Sequence, residues 1–292
     1  MKIGTRESKL AMRQTEIFCE KFAAVYPEVE LETVSMKALG DKDLKSSISQ
    51  MSAQGAFVKE LDEALINGEI DVSVNSLKDI PITVTKGLTI GAVFERDAVE
   101  DVILPVPIDE LPEGARIGTS SIRRQHMLKE YRPDLEIVPL RGNIHTRLAK
   151  LDAGEYDAIV LAKAGLDRMG IVRPMFVLDK DVFIPAPAQG VIAVECRKDD
   201  AETVSRLSRL SHTPTRLAIS AERGIMKLMG AGCSSPVGIN AEVEGDMIRV
   251  KAVSYVLEDE VRRVDEYIPL DFVMDEILGI AEYLAGKRDV VI

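Results

Sequence analysis

Apolar and polar positions along the first hundred residues switch between two periods, and this predicts strands interleaved with helices. Lys2 to Thr5 reads as a short buried strand. Ser8 reads as the cap of a helix running to about Tyr26, with Leu10, Ile17, Phe18 and Ala24 on its apolar side. Val29 to Met36 alternates as a strand does. Gly40 to Gly55 is polar and rich in Ser, Lys and Asp, so an exposed loop is expected there. Phe57 to Asn67 has the spacing of an amphipathic helix. Asp71 to Val74 reads as a buried strand ending in Asn75-Ser76-Leu77-Lys78-Asp79-Ile80-Pro81.

The same phrases return further along. Ile3-Gly4-Thr5-Arg6-Glu7-Ser8 is echoed by Ile117-Gly118-Thr119-Ser120-Ser121. Tyr26 to Leu31 is echoed by Tyr131 to Glu136, and Gly68-Glu69-Ile70-Asp71-Val72 by Gly154-Glu155-Tyr156-Asp157-Ala158. Chance produces one such echo easily and three in order poorly. The pattern therefore predicts two similar α/β lobes enclosing a cleft, where ligands favour the carboxyl ends of strands. The acidic stretch Glu95 to Asp101 is the candidate hinge, and Pro185 to Gly190 the candidate second crossing. Gly190 to Cys196 reads as a buried strand returning to the first lobe. After His212-Thr213-Pro214 a helix is expected through Met229. Three strands follow, near Pro236–Glu244, Met247–Leu257 and Val261–Ile268, and then a final helix from about Leu270 to Gly286. The expected domains are residues 1–95 with the return segment 190–210, residues 96–189, and a small α+β domain with a three-stranded antiparallel sheet at 211–292.

Composition narrows the function. The net charge of −11 lacks the basic field that nucleic acid or an anionic membrane would require. No apolar run approaches the ~20 residues of a membrane span, and the N-terminus lacks the apolar stretch of a signal peptide. Three widely spaced cysteines, Cys19, Cys196 and Cys233, suit reduced thiols in the cytoplasm rather than disulfides or a zinc cluster. No metal site is expected.

Candidate chemistry gathers at a few positions. Cys233 lies in Gly230-Ala231-Gly232-Cys233-Ser234-Ser235-Pro236, whose glycines suit a tight loop with an accessible thiol. A semi-buried free cysteine is the bland alternative; the loop favours a covalent role. Asp79 at a strand terminus reads equally well as a cleft carboxylate or as a turn residue before Ile80-Pro81. Arg6, Arg123, Arg124, Arg141 and Arg147 collect in matching loops of the two lobes. There helix N-termini and guanidinium forks can hold carboxylates.

At these residues the chain closely resembles the porphobilinogen deaminases (hydroxymethylbilane synthases). The likeness runs through Thr5-Arg6-Glu7-Ser8, Phe57-Val58-Lys59-Glu60-Leu61, Ser76-Leu77-Lys78-Asp79-Ile80-Pro81 and Gly118-Thr119-Ser120-Ser121-Ile122-Arg123-Arg124-Gln125. It continues through Leu140-Arg141-Gly142-Asn143, Thr146-Arg147-Leu148, Ala162 to Leu166, Gln189-Gly190 and Gly232-Cys233. The resemblance implies lobes of the type-II periplasmic-binding-protein kind and a third domain bearing the cofactor cysteine. It implies a transferase of tetrapyrrole (haem, sirohaem or corrin) biosynthesis. Four porphobilinogen molecules would be joined head to tail on a dipyrromethane linked to Cys233, with loss of ammonia, and 1-hydroxymethylbilane released by hydrolysis. Asp79 matches the catalytic aspartate. Lys78, Thr119, Ser121, Arg123, Arg124 and Arg147 match cofactor contacts, and Arg6, Ser8, Arg141 and Arg147 match substrate contacts. Gly55, Phe57 and Gln189 match cleft or lid positions, and the Gly40–Gly55 loop is expected to be that lid. The implied partners are porphobilinogen and a downstream uroporphyrinogen-III synthase that takes over the product; a cytoplasmic monomer is expected.

Three positions and one loop depart from the family pattern. Asn75 stands where a His is frequent, Ala188 and Ala231 where a Gly is, and Gln54-Gly55-Ala56-Phe57 varies a Gly-Lys-Gly-(Leu/Ala)-Phe loop. Two other classes compete. A solute-binding module would use the two lobes but need neither Cys233 nor a third domain. A generic cysteine enzyme would use Cys233 only transiently. A permanent two-pyrrole adduct separates both from a deaminase.

Overall fold

The computed structural model describes residues 1–36, 58–232 and 234–291. The expected Gly40–Gly55 loop, Gly55, Phe57 and Cys233 lie outside these residues. The chain forms two compact units, Met1–Asp97 with Val191–Leu217, and Ala98–Gly190 with Ala218–Ile292.

The first unit is built on a five-stranded sheet. Its strands are β1 (Lys2–Arg6), β2 (Glu32–Met36), β3 (Val72–Ser76), β4 (Leu88–Val93) and β10 (Ile192–Arg197), in the order β2-β1-β3-β10-β4. β1 runs parallel to β2 and β3, and β10 lies antiparallel between β3 and β4. Helix α1 (Lys9–Val25) starts at Ser8, whose hydroxyl accepts the Ala11 N–H, and it lays Phe18 and Phe22 on the sheet. The opposite face is covered by α2 (Lys59–Ile66), through Leu61, Ala64 and Leu65 with Ile70. Helix α6 (Ala201–Ser208) packs Leu207 onto the first face. Cover on both faces buries polar as well as apolar side chains of β1 and β3, Thr5, Ser73 and Asn75 among them.

The second unit repeats the plan. Strands β5 (Asp101–Leu104), β6 (Arg116–Gly118), β7 (Glu136–Val138), β8 (Ala158–Ala162) and β9 (Phe176–Val177) are ordered β7-β6-β8-β5-β9. β6 is parallel to β7 and β8, and β5 antiparallel to β8 and β9. Side chains alternate between two cores: Val102 and Leu104 with Ile159 and Leu161 on one face, Ile103 with Ala158 and Val160 on the other. Helices α3 (Ile122–Tyr131), α4 (Ile144–Asp152) and α5 (Lys163–Arg168) complete the lobe. In both lobes the antiparallel strand, β10 or β5, is the first one after the chain crosses from the other unit.

The echoed phrases do the same physical work in both lobes. Asp71 accepts the Lys2 N–H through its side chain at 2.8 Å and donates its own N–H to the Lys2 carbonyl. Asp157 does the same with Arg116, at 2.7 Å. Gly68 and Gly154, at φ +73° and +72°, end α2 and α4 in the left-handed region that favours glycine.

Helix α7 (Thr213–Met229) leads to an antiparallel meander of β11 (Val237–Glu244), β12 (Met247–Ser254) and β13 (Arg262–Pro269), followed by α8 (Met274–Leu284). Val253 and Tyr255 join the core formed by Ile103, Met127, Leu128 and Ile184, so this sheet shares a core with the second lobe. The fold class is the expected α/β one, two lobes of matching strand order and a small part with a three-stranded antiparallel sheet. One local expectation needs correction. Asp101, read as the end of an acidic hinge, is the wholly buried first residue of β5.

Candidate active site

In the first unit, β1 and β3 are parallel neighbours, so their carboxyl ends open on the same side. β1 ends at Arg6 and continues into Ser8 and α1. β3 ends at Ser76 and continues into a single 3-10 turn, Leu77–Asp79, anchored by fully buried Leu77. Together they line a small pocket, partly open to solvent, whose polar wall is Arg6, Ser8, Gln14, Asn75, Ser76 and Asp79. Leu10, Ala11, Val58 and Val74 give it an apolar side. The Gln14 amide donates to the Ser76 hydroxyl at 2.8 Å. Asn75 is turned inward, donating to Ser73 at 3.1 Å and to the buried carboxylate of Glu195 at 3.2 Å. Lys78 is half-buried beside Asp79 on the same turn. Three predicted residues, Arg6, Ser8 and Asp79, are therefore brought to one pocket. Gln14 and Ser76 belong to it as well; Gln14 carried no signal in the sequence, and Ser76 stood in a quoted motif without an assigned role.

In the second unit, β6 leads through Thr119 and Ser120 to Ser121, which caps α3 by accepting the Arg124 N–H. Thr119 is buried and its hydroxyl accepts the Ser121 N–H at 3.2 Å. The first turn of α3 sends Arg123 and Arg124 into the interior, where they are 4% and 8% exposed. Both meet one carboxylate. Asp101 accepts Arg123 at 2.7 Å and Arg124 through two nitrogens at 2.7 and 3.1 Å. Carbonyls of Ile184 and Val160 take a further N–H from each. Burial alone would raise the Asp101 pKa; the charges of Arg123 and Arg124 outweigh it and hold the carboxyl well below the usual range. Gln189, expected at a cleft or lid, is buried, and its amide donates to Asp101 at 2.8 Å and to the Val99 carbonyl at 2.7 Å. Arg147 is half-buried on α4, which Asn143 caps, and donates to the Gly142 carbonyl at 2.7 Å. Arg141 lies half-buried in the loop before that cap.

Two guanidiniums facing one carboxylate leave this cluster with net positive charge. Arg123 Nε is buried without a hydrogen-bond partner. An anionic ligand with several carboxylates, such as a dipyrromethane with acetate and propionate arms, would balance that charge, so these residues fit that group in their chemistry.

Burial raises the Cys19 thiol pKa and pushes Cys196 up to about 11, so neither is a thiolate at neutral pH. Among the described residues there is no cluster able to hold a metal ion, and no helix is long and apolar enough to cross a membrane.

Residues 1–205 match the family model "Porphobilinogen deaminase, dipyromethane cofactor binding domain", and residues 216–275 match "Porphobilinogen deaminase, C-terminal domain". The chain belongs to the porphobilinogen deaminase family. It is 41% identical to the porphobilinogen deaminase of Desulforamulus reducens over 260 residues, 88% of this chain and 84% of that one. With the Brevibacillus brevis enzyme the identity is 43%, over 83% of this chain and 80% of the relative. Among solved structures, an ancestral cationic amino acid solute-binding protein covers 72% of this chain and 87% of its own at 14% identity, with a TM-score of 0.45. Membership makes the chain a transferase of tetrapyrrole biosynthesis with a dipyrromethane cofactor.

Proposed function

We propose that this chain joins four porphobilinogen molecules head to tail, releasing one ammonia each time, and frees 1-hydroxymethylbilane by hydrolysis. The observation that carries this reading is the pocket at the carboxyl ends of β1 and β3, where a carboxylate on a rigid turn, Asp79, shares a wall with Arg6 and Ser8. Arg6 offers a fork for an acid arm of the incoming pyrrole and Ser8 a hydroxyl. Arg141 and Arg147 are assigned the same kind of contact. When ammonia departs, the substrate's exocyclic methylene becomes electron-poor. A fixed carboxylate stabilises that positive character and later accepts the displaced ring proton, so Asp79 serves both stages.

Arg123, Arg124, Lys78, Thr119, Ser121 and Arg147 are assigned to the cofactor, and Cys233 to its thioether. The bound dipyrromethane supplies a terminal pyrrole nucleophile and a tether that keeps the growing product at high effective concentration. The unreactive settings of Cys19 and Cys196 support the choice of Cys233. We further assign residues 211–292 as the domain carrying Cys233, a cytoplasmic monomer as the working form, and a uroporphyrinogen-III synthase as the recipient of product.

The test is the intact mass of the purified protein, followed by peptide mapping. A permanent adduct of two deaminated porphobilinogen units on the Cys233 peptide is expected, absent from Cys233→Ser. No adduct, or an adduct on Cys19 or Cys196, overturns the reading.

A further inference from the structure

Glu222, on α7, is fully buried and uses both carboxylate oxygens on backbone donors of the second unit. Oε2 accepts the Ala188 N–H at 2.6 Å and Oε1 the Ala241 N–H of β11 at 2.7 Å. Ala188 is the one non-glycine residue with positive φ, +60°, among the described residues. An L-residue avoids that region unless its surroundings hold it there, and a charge-assisted hydrogen bond at its own N–H is such a hold. The next residue is Gln189. The left-handed turn directs its amide inward, where Nε2 reaches both the Val99 carbonyl and Asp101. Asp101 in turn is the only carboxylate bonded to Arg123 and Arg124 among the described residues.

We propose that Glu222 is a positioning residue for the Arg123–Arg124 pair, fixing the Ala188 turn so that Gln189 locks Asp101 against both guanidiniums. Glu222 touches neither arginine; it acts through a backbone turn, an amide and a carboxylate in series. Asp101 divides its oxygens, Oδ1 taking Gln189 and Arg124, Oδ2 taking Arg123 and Arg124. If Gln189 withdraws, Oδ1 loses a donor, the carboxylate can rotate, and the forks lose the fixed orientation that carboxylate recognition requires. The proposal rests on the reading that these arginines hold the dipyrromethane.

The variant Glu222→Gln keeps the shape but sets an amide N–H against a backbone N–H. Intact mass at a temperature where circular dichroism shows a folded protein then gives the ratio of cofactor-loaded to unloaded molecules. The loaded-to-unloaded ratio should fall about tenfold, the effect of losing one buried charge-assisted hydrogen bond. Adding Ala188→Gly should restore at least half of the loading, because glycine adopts the turn without being held. A general structural defect would not respond to that change. Parental loading of Glu222→Gln, or a loss that Ala188→Gly does not repair, overturns the proposal. If Glu222→Gln fails to fold, Gln189→Met breaks the same relay one link on; the same loss is expected, and normal loading overturns the idea. Arg123→Leu and Arg124→Leu separate the two levels. Normal loading of both would overturn the cofactor reading itself, whereas empty arginine variants beside a fully loaded Glu222→Gln would overturn the relay alone.

Discussion

Asp79 stands on a single 3-10 turn pinned by Leu77, which fixes the point from which its side chain enters the pocket. Asp79→Asn keeps the shape and removes the charge. Steady-state turnover should fall by at least ~10², the scale of a lost acid–base or electrostatic group, and Asp79→Glu should retain more activity than Asp79→Asn. Near-parental turnover of Asp79→Asn would refute the role. Asp101 is the opposite kind of carboxylate, sealed inside and bonded to two arginines. Asp101→Asn leaves two buried cations without a counter-charge and should cost about 3–5 kcal/mol at pH 7, read from urea unfolding. The sign with pH follows from its depressed folded pKa. The stabilisation is complete above the ordinary carboxylate range near ~4 and is lost as pH falls through the lower folded value. The gap between parent and variant should therefore be flat from neutral pH down to about 5 and narrow below ~4. A gap that widened in acid would contradict the assignment.

The paired clamps Asp71 and Asp157 show how much an element owes to one short phrase. Each fastens the start of a central strand to the loop before its parallel neighbour. Asp71→Ala and Asp157→Ala should each cost about 1 kcal/mol in urea unfolding for the strand clamp they share, with Asp71→Ala costing somewhat more because Asp71 also pairs with Arg197 at 3.2 Å. Unequal effects, one large and one absent, would break the equivalence of the lobes. These elements were legible in the sequence where their signals are local, as with Ser8, which precedes the helix it caps; the second lobe was read from phrases that repeat those of the first. Helix α1 was expected to run to about Tyr26 and ends at Val25; the meander strands fell within a few residues of their observed ends. Strand β2 is shorter than read, because Val29 and Leu31 pack as loop residues before the pairing starts at Glu32. The site was legible in part for the same reason. Arg6, Ser8 and Asp79 follow strand ends and could be placed there. The partnership of Asp101 with Arg123, Gln189 and, through Ala188, Glu222 joins positions far apart in the chain. No local pattern announces such contacts, and an acid next to Glu95 to Glu100 looks like a solvated hinge until the fold buries it.

At the scale of the whole molecule, the two sheets differ in how they are threaded. All strands of the second sheet lie between Asp101 and Val177. The first sheet instead needs β10, Ile192–Arg197, as an inner strand between β3 and β4. A chain ending at Gly190 should therefore leave residues 1–97 open to protease, since β3 and β4 would each face the gap with unpaired backbone. Protection of that stretch equal to the full-length protein's would show that the sheet closes another way. The threading also sets an order in time. A ribosome adds roughly 5–20 residues each second, and domains tend to fold as they emerge, N-terminal first. Here the lobe begun first has to wait: its inner strand is translated only after every strand of the other lobe. During synthesis β4 has no strand to pair with until β10 arrives, and the lobe that begins later is the first able to complete its five-stranded sheet.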